Sequence, residues 1–131
     1  MTNDDSVHTI KTLYAAFGAG DPKAIFALLA PDIEWAVPGK APWSGEGRGL
    51  EHVQRFFQTF GAAATLKTFE PRSFFAHGDQ VVVLGYEEGA SNASGRSWQA
   101  HFTHAFTVAG GKITAHREYI DTLAIADAFR P

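Results

Sequence analysis

The second half of the chain constrains the fold most. Four strand-length runs rich in β-branched and aromatic residues occupy Leu66–His77, Gln80–Glu88, Arg96–Val108 and Lys112–Asp121. Between them lie short connections built on Gly78-Asp79, the polar stretch Ser91–Gly95 and the tight Gly110-Gly111 turn. Connections this short pair consecutive strands antiparallel, so this half is a meander and one sheet. A sheet of this kind needs a cover over its apolar face. Pro71 marks an edge or a bulge in the first run. Val81-Val-Val-Leu84 reads as a strand buried on both faces.

The cover is written in the first half. Val7, Ile10, Leu13, Tyr14 and Phe17 recur at helical spacing over Asp5–Ala19, and Gly18 and Gly20 stop that helix. Asp21-Pro22 restarts one, with Asp as cap and Pro at the first helical position, and Pro31 closes it. Ile33–Val37 alternates as a strand. Pro38–Gly49 is a glycine- and proline-rich loop that contains Trp43. Leu50–Phe60 is a third helix with Val53, Phe56, Phe57 and Phe60 on its buried side, and Thr122–Phe129 reads as a short last helix. The order helix, helix, strand, helix, four strands gives an α+β class. At 131 residues the expectation is one domain over 1–131.

Composition narrows the function. With 45% hydrophobic and 19% charged residues the chain can bury a core, and 11 Phe, 3 Tyr and 3 Trp exceed what a small core requires. The surplus points to a ring-lined pocket or a subunit interface. A net charge of −3, with no basic run, leaves no footprint for nucleic acid or anionic lipid. The absence of cysteine excludes disulfides, thiolate metal sites and a cysteine nucleophile. No signal peptide or membrane span is legible, so a soluble cytoplasmic protein is expected.

Tyr14-Ala-Ala-Phe17 through Gly20-Asp21, Leu29–Trp35, His104-Ala-Phe106, Gly111-Lys-Ile113 and Arg117-Glu-Tyr119-Ile-Asp121 together resemble the SnoaL-like proteins. That family lies in the nuclear transport factor 2-like superfamily, with ketosteroid isomerases and limonene epoxide hydrolases. The resemblance implies a curved, cone-shaped antiparallel sheet with three helices on its concave face, enclosing a pocket. It further implies acid–base chemistry without metal or cofactor on a hydrophobic carbonyl or ring compound: isomerisation, cyclisation or hydration. A non-catalytic ligand-binding or association domain of the same fold is the alternative. A homodimer packed through the open sheet face is expected on the same grounds.

Asp121 occupies the aspartate position of the family's C-terminal pattern, which implies a general base. It stands equally well as the N-cap of the last helix. His104 lies on the stripe Ala100, Phe102, His104, Phe106, Val108 and is either a proton donor to an oxyanion or a bonded core histidine. Counting across Gly110-Gly111 pairs Val108 with Ile113, hence His104 with Arg117 and Ala100 with Asp121, unless a bulge flips the parity. Glu118 faces either the pocket or the outer side, as strand parity decides. Trp35, Phe56, Phe60, Tyr86, Phe102, Arg117, Glu118 and Tyr119 are the expected substrate-binding set, and Trp43 a candidate lid residue. His101 and His104 point to opposite faces, so with His116 they form no expected metal site. Ser44, Ser73 and Ser97 lack a nucleophile-elbow context.

Departures from the family's enzymes narrow the chemistry. Glu87 stands for one acid of the epoxide hydrolase set, but Gly85 replaces its arginine, and Glu34 and Ala36 fall where its water-holding pair belongs. Val37 precedes Pro38 where ketosteroid isomerases carry their aspartate, and Tyr14 is one residue out of step with their oxyanion tyrosine.

Overall fold

A computed structural model describes residues 2–131. Helices α1 (Asn3–Gly18) and α2 (Pro22–Ala27) lead into β1 (Leu29–Val37), β2 (Gly45–Arg48) and α3 (Leu50–Ala63). Strands β3 (Ala64–His77), β4 (Gln80–Ser91), β5 (Ser97–Ala109) and β6 (Lys112–Ile120) follow, and α4 (Thr122–Ala128) is last. Local chemistry sets the helix starts. The Asp5 amide donates to Thr2 Oγ1 at 3.1 Å and the Thr2 amide to the Asp5 carboxylate at 3.2 Å, a reciprocal cap on α1. Asp21 caps α2 ahead of Pro22.

The six strands form one curved open sheet in the order β2-β1-β6-β5-β4-β3. Pairing is antiparallel throughout except between β1 and β6, which run parallel. The purely antiparallel expectation therefore needs this correction. Residues 38–111, more than half of the chain, lie between β1 and β6, ample for the crossover that parallel neighbours require. The loop expected over Pro38–Gly49 also yields an edge strand, β2. A register shift in β3 falls between Pro71 and Ser73, where proline has no N–H for the ladder.

The helices cover one face. Helix α1 packs on β3 and β4, α3 on β1, β2 and β3, and α4 on β5. Ile10, Ile33, Val53, Val81, Val83 and Ile113 lose all their exposure beneath them. Each such side chain contributes about 1.5–3 kcal/mol of apolar burial. On β5 the buried stripe Trp98, Ala100, Phe102, His104, Phe106, Val108 faces the helices, as its period of two dictates. Gly85 and Gly89 of β4 are needed where they stand. The rings of Phe102 and Trp98 lie across them, and a Cβ at either position would overlap those rings.

The other face is open. Strand β4 is buried on one side only, which corrects the two-sided reading: Val81 and Val83 face in, while Leu84 is 43% exposed. Phe75 and Tyr119 are also exposed. Among the described residues no helix is long and apolar enough to cross a membrane.

Candidate active site

One irregularity in the β5–β6 hairpin decides what faces inward. Val108 pairs with Ile113, but Thr107 pairs with Ala115, so Thr114 is an extra residue in β6. Beyond it the parity is the reverse of a simple count. His104 sits opposite Glu118, Phe106 opposite His116, and Ala105 opposite Arg117. Arg117 is thereby turned to the outer face, where it donates to Glu46 at 2.9 Å. Glu118 and His116 are turned in.

Helix α1 completes the arrangement. Tyr14 places its hydroxyl 2.7 Å from His104 Nδ1, and His104 Nε2 lies 2.8 Å from a Glu118 carboxylate oxygen. The three form a continuous chain, with His104 and Glu118 both nearly buried. With a neutral imidazole, His104 Nε2–H donates to Glu118 and Nδ1 accepts from Tyr14. With an imidazolium, Nδ1–H donates to the Tyr14 oxygen and frees the phenolic hydrogen to turn elsewhere. Burial, then the nearby Glu118 charge, pushes the Tyr14 phenol well above its ordinary value, so it stays protonated and acts as a donor. Tyr14 carries a sequence signal: a hydroxyl on the apolar stripe of Ile10, Leu13 and Phe17 needs a buried partner.

A second carboxyl enters from β4. Glu87 is buried and accepts a hydrogen bond from the Trp98 indole N–H at 2.8 Å. Burial, reinforced by the Glu118 charge, raises its carboxyl to about 7, against a smaller lowering by the Trp98 bond. At neutral pH Glu87 is therefore divided between acid and base. His116 is buried and stacks on Trp35 with ring centroids 4.0 Å apart. Burial first, then His104 and Arg117, holds it well below the ordinary histidine value, so it is neutral at physiological pH.

These groups surround a cavity of about 80 Å³ roofed by Phe56, Phe57 and Phe60 of α3 and walled by Leu66 and Phe69 of β3. Among the described residues, Tyr14, Glu87, His104, His116 and Glu118 are its only polar side chains besides the Trp35 indole, and no Lys or Arg lines it. Among the described residues, no three His, Asp or Glu side chains converge as a metal site.

The structure thus brings together His104, Glu118, Trp35, Phe56 and Phe60 of the expected set. Phe102 lies beside the lining, stacked on His104 at 4.2 Å and on Phe69 at 5.1 Å. Tyr86 is on the outer face, between Arg72 at 4.9 Å and His101 at 5.1 Å. Tyr119 is 56% exposed there. Asp121 is exposed and accepts from the Ala124 amide at 3.1 Å as the N-cap of α4, away from the cavity. Trp43 is a buried packing residue against Phe60 and Phe129, not an exposed lid.

A SnoaL-like domain matches residues 10–116. An uncharacterised protein of Mycobacterium tuberculosis is 32% identical over 98% of both chains. The crystal structure of a nuclear transport factor 2-like protein from Burkholderia xenovorans superposes with a TM-score of 0.92, at 36% identity and 99% coverage of both chains. TerC, co-crystallised with polyporic acid, gives a TM-score of 0.81 at 28% identity, covering 95% of this chain and 97% of its own. On these matches the chain belongs to the SnoaL-like family of nuclear transport factor 2-like proteins.

Proposed function

We propose that this protein is a cofactor-independent acid–base enzyme acting on an apolar carbonyl or ring compound, with Glu87 as the proton-transferring group. The observation that carries the reading is one carboxyl raised to about 7 in the same apolar cavity as the Tyr14–His104–Glu118 chain. A base works best when its pKa sits near the operating pH. Ionised Glu87 takes a proton from the carbon next to a carbonyl, and the negative charge passes to the carbonyl oxygen. With His104 as an imidazolium held by Glu118, Nδ1–H donates to the Tyr14 oxygen and the phenolic hydrogen donates to that carbonyl oxygen. Return of the proton from Glu87 to the same or another carbon completes exchange or isomerisation with no net change in atoms. The complex of TerC with polyporic acid supports the reading that a fold of this kind houses a ring compound. In this reading Asp121 serves α4 rather than the chemistry.

Deuterium exchange tests this without knowledge of the natural substrate. The protein is incubated in D₂O with a panel of apolar cyclic ketones such as 1-tetralone, and loss of the α-proton signal is followed by NMR. Acceleration over buffer is expected, with a rate that rises through pH 7. Glu87→Gln is expected to lower it by about 10²–10⁴-fold, the usual contribution of a positioned acid or base. No acceleration with any ketone, or full activity in Glu87→Gln, contradicts the proposal.

A further inference from the structure

Among the described residues, three buried side-chain polar atoms have no hydrogen-bond partner: Ser6 Oγ, Trp35 Nε1 and His116 Nδ1. Two of the three belong to one stacked pair. Trp35 and His116 are register partners in the parallel β1–β6 ladder, their ring planes lie 26° apart, and both line the cavity. An unpartnered buried donor or acceptor costs about 1–3 kcal/mol, and native structures rarely leave one without a reason. The other polar side chains of the cavity each have a partner: Tyr14 with His104, His104 with Glu118, and Glu87 with Trp98 behind the lining. Trp35 Nε1 and His116 Nδ1 are the fully buried side-chain atoms left without a partner among the described residues that line the cavity.

The chemistry of the pair selects a ligand group. The indole N–H only donates, whereas a neutral imidazole presents one N–H and one acceptor nitrogen. A hydroxyl complements both, because its oxygen accepts and its hydrogen donates. A carboxylate only accepts, and it would enter a cavity that already holds Glu87 and Glu118 and has no Lys or Arg to balance it. We propose that Trp35 and His116 form the polar subsite of this cavity and take the hydroxyl of a neutral, hydroxylated ring compound. The assignment rests on the acid–base reading for the reaction and deepens it by naming the substrate class. The ring lies beneath Phe56, Phe57 and Phe60, its hydroxyl on Trp35 and His116, and its reacting carbonyl toward Tyr14.

Matched one-ring probes test the subsite. p-Cresol and p-xylene differ only by a hydroxyl in place of a methyl group, and 4-methylbenzoate replaces the hydroxyl with an anion. Dissociation constants come from NMR shift titrations at pH 7. The ratio of p-cresol to p-xylene affinity is expected to fall about tenfold in His116→Phe and in Trp35→Phe, the loss of a hydrogen bond in a dry site. In the wild type, which requires no variant to fold, p-cresol is expected to move the Trp35 indole N–H resonance downfield of its position with p-xylene. An unchanged ratio in both variants, an indole resonance indifferent to the hydroxyl, tighter binding of 4-methylbenzoate than of p-cresol, or no saturable binding of p-cresol overturns the assignment. None of these readouts needs turnover. A hydroxyl preference without α-proton exchange defeats the enzyme reading alone, and exchange without the preference defeats the subsite alone.

Discussion

The two faces of strands β3–β6 are built from alternate residues of the same segments, yet their polar groups behave differently. On the outer face, charges meet water and each other. Arg117 pairs with Glu46, Arg72 with Glu70, and Arg72 also covers Tyr86. Such exposed pairs contribute about 0–1 kcal/mol apiece. On the inner face, Glu87, His104, His116 and Glu118 sit among phenylalanine rings, and burial displaces the titration of Glu87 and His116 in opposite directions. The comparison teaches that a side chain's chemistry in this sheet is set by strand parity. A shift of one residue exchanges a solvated ion for a desolvated acid.

Exchanging Arg117 and Glu118, as the double variant Arg117→Glu with Glu118→Arg, attacks the comparison at its root. The observed parity then places a guanidinium inward opposite His104 and a carboxylate outward. Burying a guanidinium in place of Glu118 is expected to cost about 4 kcal/mol or more, or to abolish the cooperative transition. Chemical denaturation measures this. A double variant as stable as the wild type would show that the parity is not what holds the inner face.

The next effect is in the pH dependence of stability. In the unfolded chain Glu87 ionises near 4.5, and in the folded protein at about 7. Below 4.5 it is protonated in both states and carries no penalty. Between the two values the unfolded chain gives up its proton first, so stability falls as pH rises, and above 7 the whole penalty is present. At about 1.4 kcal/mol per pH unit this amounts to roughly 3 kcal/mol. Glu87→Gln keeps an acceptor for Trp98 and removes the charge, so the variant gains on the wild type by about that amount between pH 4 and pH 8. His116 has the opposite sense, with stability lost as pH falls below 6.5, but it is present in both proteins and cancels in the difference. A difference that does not change with pH contradicts the displaced carboxyl.

The smallest effect belongs outside the cavity. Asp121→Ala removes the cap of α4 and is expected to cost about 1 kcal/mol while leaving α-proton exchange as it was. A large loss of exchange at unchanged stability would return Asp121 to the chemistry.

Much of the fold is legible in the sequence because its signals are local. Asp21-Pro22 starts a helix, Gly110-Gly111 supplies the two positive-φ residues of a tight hairpin, and the β5 stripe repeats with period two. The site is less legible because it depends on a bulge that nothing in Ile113-Thr-Ala115 announces. A count without it sends Arg117 to the cavity in place of Glu118. Asp121 shows the other difficulty. An aspartate before a short helix looks the same whether it caps or catalyses, and only its bond to the Ala124 amide separates the two. Tyr14 needed α1 to be laid on the sheet before its partner, 90 residues away, was in reach.

The most direct measurement is the titration of the Glu87 side-chain carboxyl by carbon-13 NMR, with Glu87→Gln assigning the resonance. A midpoint near 7, moving downward when Glu118 is replaced by Gln, is the expected result. A midpoint at the ordinary glutamate value of about 4.3 would mean that Glu87 is solvated. The inner face would then differ from the outer one in shape and not in chemistry.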